Sequence, residues 1–258
     1  MLNMNINSAL ITGSGRGMGR AIALRLAQEH IPVIINDLDK RLGEETKKII
    51  QDSGGICSLK IGDAADEDFV DDMVENSVSE YGSVDILVNN AGVLRPTPIV
   101  DITLAEWEFV IKGNLTSTFL CTKKVIPAMK KNNWGRIINF SSTAGKNIST
   151  VGGAHYTAAK AAILGLTRHT AKEVARFGIT VNALCPGLIN TEMVRATISD
   201  ELVAQYANSF PIQRLGEPDE VADLVMFLAS DKASYITCLL YTSPSPRDAT
   251  LSRMPSSA

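Results

Sequence analysis

Long hydrophobic runs are absent: no stretch approaches the roughly 18 apolar residues that a membrane-spanning helix needs. The opening MLNMNINSALITG lacks the basic start and extended apolar segment of a secretory leader. Charge of one sign is lacking as well, since 25 Lys and Arg stand against 28 Asp and Glu. That balance argues against a nucleic-acid partner, because neutralising phosphates takes clustered Lys and Arg. Cysteine is sparse. Cys57, Cys121, Cys185 and Cys238 stand singly, without the short paired spacings of a disulfide framework or a zinc site. A reducing, cytoplasmic setting is therefore expected. His30 and His169 have no ligand partners near them in sequence, and no metal is expected. His155 reads as a pocket-edge or surface group beside Tyr156. Repeats of solenoid period are missing too.

What is present suits one large α/β domain: 258 residues, of which 45% are hydrophobic. Short apolar runs read as strands at Ile6–Thr12, Pro32–Asn36, Ile56–Ile61, Val84–Asn89, Arg136–Ser141 and Ile179–Leu184. Amphipathic stretches between them read as helices at Gly17–Glu29, Asp39–Ser53, Asp66–Tyr81, Leu104–Lys131, His155–Phe177 and Glu217–Ser230, with one helix running into another near Asn114. Apolar strands alternating with helices imply parallel βαβ units. Right-handed crossovers then give a single-domain Rossmann fold, a doubly wound parallel sheet with helices on both faces.

Thr12-Gly13-Ser14-Gly15-Arg16-Gly17-Met18-Gly19 follows the first strand and opens the first helix. Gly13 permits a tight turn, Gly17 a close approach to a pyrophosphate, and Gly19 close packing of helix on strand. The helix start, at Arg16, Gly17 and Met18, offers N–H groups and a positive dipole end to the anion. Asp37, just past the second strand, suits the ribose hydroxyls of NAD and would repel the 2′-phosphate of NADP. Arg16 pulls the other way, since a basic residue here could pair with that phosphate. NAD is the expected cofactor, with NADP the lesser alternative.

Tyr156 and Lys160 stand four apart on a helix and so share a face. Moving a tyrosine pKa from near 10 to about 7 takes roughly 4 kcal/mol of differential stabilisation. A nearby cation and the charge of an oxidised nicotinamide act in that direction. A poised phenol could then exchange a proton with a substrate oxygen. By spacing alone the pair is an ordinary helix-surface pair.

Other motifs surround it. Thr12-Gly13-x-x-x-Gly17-x-Gly19, Asn89-Asn90-Ala91-Gly92, Asn114, Ser142, Tyr156-x-x-x-Lys160 and Pro186-Gly187 occur in order. On these residues the chain resembles the short-chain dehydrogenase/reductases from about Ile6 to Thr237. Its general look is similar to the 3-oxoacyl-acyl-carrier-protein reductase-like branch. The resemblance implies hydride transfer between a nicotinamide and a carbonyl or secondary alcohol. It makes Tyr156 the general acid/base and Lys160 the group that lowers its pKa and holds the nicotinamide ribose. Ser142 would bind the substrate oxygen, and Asn114 would hold a water linking Lys160 to solvent. Asn90 would line the cofactor near its adenosine side, Asp63 and Ala64 would meet the adenine, and Pro186, Gly187, Ile189 and Thr191 would approach the nicotinamide. The family's usual serine-to-tyrosine spacing would select Thr143, but the Ser142-Thr143-Ala144-Gly145 run aligns better on Ser142. The substrate segments, Val93–Arg95, Gly145–Ala154 and Leu188–Phe210, are of mixed polarity. An NAD-linked sugar, polyol or small secondary alcohol dehydrogenase is the alternative within the enzymes, and a non-catalytic cofactor-binding regulatory protein the alternative outside them. A homo-oligomer, tetramer or dimer, is implied.

The C-terminus departs from the family. After Ser234-Tyr235-Ile236-Thr237 the resemblance calls for a glycine and a last strand. The chain instead reads Cys238-Leu239-Leu240-Tyr241-Thr242-Ser243-Pro244-Ser245-Pro246-Arg247-Asp248, which resembles a translated DNA-library adapter, as does Ser252–Ala258. The expectation is a domain over 1–237, a non-native tail over 238–258, and a last strand missing or replaced, with Cys238–Thr242 as the β-prone substitute.

Overall fold

The computed structural model describes residues 6–149, 151–209 and 212–242. Its strands are β1 (Ala9–Thr12), β2 (Val33–Asp37), β3 (Cys57–Ile61), β4 (Ile86–Asn89), β5 (Gly135–Phe140), β6 (Ile179–Cys185) and β7 (Leu240–Thr242). All pair in parallel, in the order β3-β2-β1-β4-β5-β6-β7. This is the doubly wound Rossmann sheet that the alternation implied. The order reverses between β1 and β4, where loops leaving the strand ends open a crevice for a ligand.

The period of the strands explains the layering. In β1, Ala9 and Ile11 face one core and Leu10 the other; Val33 and Ile35 oppose Ile34, and Ile86 and Val88 oppose Leu87. Helices α1 (Gly17–Gln28), α2 (Lys40–Asp52) and α9 (Pro218–Ala229) cover the first face through Ile22, Leu26, Ile50, Val225 and Leu228. Helices α3 (Glu67–Tyr81), α5 (Ser117–Asn132) and α6 (Ala154–Val174) cover the second through Met73, Val125, Met129 and Val174. Each such side chain, fully buried, contributes about 1.5–3 kcal/mol of hydrophobic stabilisation.

The expected junction near Asn114 is a π-helical turn, Lys112–Thr116, that joins α4 (Leu104–Ile111) to α5. Such turns break the i→i−4 ladder and free carbonyls for other partners. Two further helices, α7 (Glu192–Thr197) and α8 (Asp200–Ser209), lie inside the segment read only as a pocket wall. Phe210 of that wall and Thr150 of the preceding loop lie outside the described residues, as do residues 243–258 of the tail. The described part of the tail supplies β7, whose backbone pairs Leu240–Thr242 with Ala183–Cys185. No helix among the described residues is long and apolar enough to cross a membrane.

Candidate active site

The phosphate loop is built from backbone. Gly13 and Gly17 hold φ of 63° and 54°, the left-handed region that favours glycine. Gly19 packs so tightly that a Cβ there would stand 2.2 Å from Gly13 O. Arg16 is exposed at the N-cap of α1 and its side chain makes no cap bond, which leaves the first-turn N–H groups at Gly17 and Met18 uncapped by it. Asn90 is turned toward this loop rather than outward. Its Nδ2 donates to Thr12 O at 3.0 Å and Gly13 O at 2.9 Å, and the N–H of Ala91 donates to Thr12 Oγ1 at 3.0 Å. The β4 end thus braces the β1 loop across the sheet's reversal.

Asp37 lies beside the loop, half-buried. Its Oδ2 accepts from the Gly15 N–H at 2.8 Å and its Oδ1 from the Asp39 N–H at 3.0 Å. Asp63 Oδ1 accepts from the Ala65 N–H at 2.9 Å, and Ala64 is buried against α3. Ile189 places its side chain in the core, where it bridges in parallel to Gly216, so only its backbone can meet a cofactor. Thr191 caps α7 and faces Gly17, with its Cγ2 3.4 Å from where a Gly17 Cβ would stand. An open cavity of about 640 Å³ lies here, lined by Gly17, Arg20, Asn190, Thr191 and Arg195. Open glycines, an uncapped helix start and a carboxylate at the second strand's end fit a dinucleotide.

The remaining candidates meet at the ends of β4, β5 and α6. Lys160 is buried and its Nζ donates to Phe140 O at 2.8 Å, while standing 5.7 Å from the Tyr156 ring centre. Burial lowers its pKa to about 8. The Ser142 hydroxyl hydrogen-bonds the Tyr156 phenol. Ser141 is committed elsewhere, donating to Lys160 O at 2.7 Å, and Thr143 opens the 3-10 turn Thr143–Gly145 that Ser142 caps. Asn114 is wholly buried: its Nδ2 donates to Val93 O and Val110 O, both at 2.8 Å, while its Oδ1 has no hydrogen-bond partner. That oxygen lies 2.7 Å, and the Lys160 ammonium 3.4 Å, from where a Cβ on Gly92 would stand.

Two expectations change. Tyr156 is not lowered by the protein around it: burial pushes the phenol up, and the Ser142 hydroxyl only partly opposes this. His155 is not a pocket-edge or surface group. It is fully buried, with Nε2 2.9 Å from Glu106 Oε1 and Nδ1 accepting from the Tyr156 N–H at 2.9 Å. Nothing in the sequence pointed to Glu106. The one signal for His155 was a helix opening on glycine, whose first-turn N–H groups need an acceptor from somewhere. Among the described residues, no group of His, Cys, Asp and Glu side chains is placed to hold a metal.

Residues 13–240 match the family model described as enoyl-(acyl carrier protein) reductase. The 3-oxoacyl-[acyl-carrier-protein] reductase of Staphylococcus aureus is 42% identical over 233 residues, covering 89% of this chain and 93% of that protein. Among solved structures, levodione reductase superposes with a TM-score of 0.89 at 32% identity, covering 96% of this chain and 99% of that one. A 3-oxoacyl-[acyl-carrier protein] reductase from Brucella melitensis with bound NAD gives 0.83 at 33%, covering 92% and 88%. Fold, phosphate loop and matches together make this chain a member of the short-chain dehydrogenase/reductase family, an NAD(P)-dependent oxidoreductase acting on CH–OH groups. Within the family it falls among the 3-oxoacyl-acyl-carrier-protein reductase homologues.

Proposed function

We propose that the chain reduces the ketone of a 3-oxoacyl thioester, with NADH preferred over NADPH. The observation that carries this is the placement of the Tyr156 phenol, hydrogen-bonded to the Ser142 hydroxyl with the Lys160 ammonium 5.7 Å from its ring. A phenol kept protonated at neutral pH is a proton donor, which is what a carbonyl oxygen needs as it gains charge. The dinucleotide, when bound, supplies the hydride to the carbonyl carbon. Ser142 donates a hydrogen bond to the carbonyl oxygen, and Tyr156 delivers its proton to that same oxygen. Lys160 holds the nicotinamide ribose. The unpartnered Oδ1 of Asn114, which shares the space beside Gly92 with the Lys160 ammonium, is an acceptor suited to fix a water through which the lost proton is replaced. Gly13, Arg16, Gly17, Met18 and Gly19 would hold the pyrophosphate, Asp37 the adenosine ribose, Asp63 and Ala64 the adenine. Ile189 and Thr191 would close on the nicotinamide side, with Asn90 supporting from behind the loop.

The preference for NADH rests on Asp37, whose carboxylate would repel a 2′-phosphate. The same residue, with the likeness to levodione reductase, supports a second reading: an NAD-linked enzyme of small ketones and secondary alcohols. A panel of acetoacetyl thioesters, small ketones and polyols with each cofactor separates the two. The first reading expects the highest kcat/KM on the thioester, and Tyr156→Phe without turnover but with cofactor affinity kept. A wild type inactive on the whole panel would point instead to a cofactor-binding regulator.

Two further proposals concern the whole chain. Leu104, Trp107 and Phe119 leave large apolar surfaces exposed on α4 and α5, which supports a homo-oligomer, dimer or tetramer, testable by sedimentation. Four cysteines outside any disulfide fit a cytoplasmic location. We also hold residues 238–258 to be a non-native tail on a domain spanning 1–237.

A further inference from the structure

The start of α6 has a gap in its capping. Gly153 is the N-cap and has no side chain to accept the N–H groups of the first turn. The Tyr156 N–H, third in that turn, is instead accepted by the ring of its neighbour: it donates to His155 Nδ1 at 2.9 Å. An Nδ1 that accepts carries no proton, so a neutral ring must carry its proton on Nε2. That nitrogen stands 2.9 Å from Glu106 Oε1, so Nε2–H donates to the carboxylate. The tautomer is fixed from both ends.

Glu106 is itself held. The Thr97 side chain and then His155 hydrogen-bond its carboxyl, and Arg95 lies near it, all keeping it ionised. The Gly153 N–H donates to Arg95 O at 2.7 Å, and a Cβ on Gly153 would stand 2.6 Å from Thr97 O and 2.8 Å from His155 Cε1. Loop 95–97, the first turn of α4 and the first turn of α6 therefore close around one buried imidazole. The same α4 holds the other side of the site, since Val110 O accepts from Asn114 Nδ2 at 2.8 Å.

We propose that His155 and Glu106 are positioning residues for Tyr156: the carboxylate fixes the imidazole, the imidazole fixes the Tyr156 backbone, and the phenol is thereby aimed at the substrate oxygen beside Ser142. The inference rests on the reading of Tyr156 as the proton donor. The pair touches neither substrate nor cofactor and acts through the start of α6. A misplacement of about 1 Å at a reacting group can cost on the order of a hundredfold in rate, so a modest shift of this turn is enough to be measured.

The test compares Glu106→Ala, Glu106→Gln and His155→Leu with wild type and Tyr156→Phe, using acetoacetyl thioester and NADH. Glu106→Ala and His155→Leu should lower kcat about tenfold or more, with cofactor affinity within about twofold, because only orientation is lost. Glu106→Gln should restore most of kcat, because its amide oxygen still accepts from Nε2–H. The ¹⁵N resonances of the wild-type His155 ring should show a bare Nδ1 and a protonated Nε2. Unchanged kcat in Glu106→Ala, lowered thermal stability alone, or an Nδ1-protonated ring would overturn the proposal. Should His155→Leu fail to fold, the Glu106 pair and the ring resonances still decide. If Tyr156→Phe retains turnover, the reading of the active site fails; if it is inactive while the Glu106 variants match wild type, only the positioning role fails.

Discussion

The side-chain oxygen of Asn114 faces Gly92, 2.7 Å from where a Cβ on that glycine would stand. The same Cβ would come 3.4 Å from Lys160 Nζ. A methyl group here presses on the unpartnered Asn114 Oδ1 and comes into ordinary contact with the ammonium, without touching Tyr156 or Ser142. On the proposed relay through Asn114 and Lys160, Gly92→Ala should lower kcat by about tenfold while the fold survives. Single-turnover kinetics in H₂O and D₂O should show a larger solvent isotope effect in the variant. Wild-type kcat would show that the Gly92 side of Lys160 carries no proton traffic.

Ser142 and its two hydroxyl neighbours separate cleanly by what they hold. The Ser142 hydroxyl bonds the phenol, Ser141 donates to Lys160 O, and Thr143 opens the 3-10 turn. Ser142→Ala should lose turnover by about a hundredfold or more, the scale of losing one donor to a developing oxyanion. Thr143→Ala should largely keep it. Ser141→Ala should lower stability by about 1 kcal/mol, since a buried neutral hydrogen bond is lost. Steady-state kinetics and thermal melts on the three variants check this, and the opposite order for Ser142 and Thr143 would assign the wrong hydroxyl.

What could be read from the sequence was whatever depends on short separations. The continuous apolar runs of β1, β2 and β4 mark strands buried on both faces, and Tyr156 and Lys160 share a helix face by spacing alone. The junction of two helices near Asn114 was legible within one long helical pattern. What could not be read depends on distant chain segments meeting. His155 is buried because Glu106, 49 residues away, receives its ring. Asp37 is engaged because the Gly15 N–H, 22 residues earlier, reaches its carboxylate. The phenol of Tyr156 is raised because distant segments pack around it and bury it in part, a property of the closed fold. Helix α7 has only six residues, too few for its period to stand out from a loop.

Lys160 links activity to stability. Burial holds its pKa at about 8, below the unfolded value near 10.4. Below about pH 8 the lysine is charged in both states, and the fold bears the full cost of the buried charge. Between there and about 10.4 the unfolded chain binds the extra proton, so this group makes stability rise with pH. Lys160→Met should abolish turnover yet raise stability at pH 7 by about 1 kcal/mol, after the lost bond to Phe140 O, or about 2–4 °C in Tm. The gain should shrink at a pH of about 9.5, where the folded lysine is mostly neutral. Melts at both pH values check the sign, and a Tm lower than wild type at pH 7 would refute it.

Cys238 holds a backbone conformation that favours glycine. Its φ is 65°, in the left-handed region, at the position where the family resemblance calls for glycine. The chain cannot relax out of it, because both flanks are clasped by one side chain: Asn182 Nδ2 donates to Ile236 O at 2.9 Å, and the Leu239 N–H donates to Asn182 Oδ1 at 3.1 Å. The Cys238 N–H is also bound, to Val181 O at 2.9 Å. A left-handed L-residue costs about 1–2 kcal/mol, part of which glycine returns through its greater unfolded-state entropy. The thiol is exposed and packs little, so nothing offsets the strain. Cys238→Gly should therefore raise stability by about 1 kcal/mol in chemical denaturation, with an unchanged m-value. A less stable glycine variant would count against a tail that replaced the natural residue at this turn.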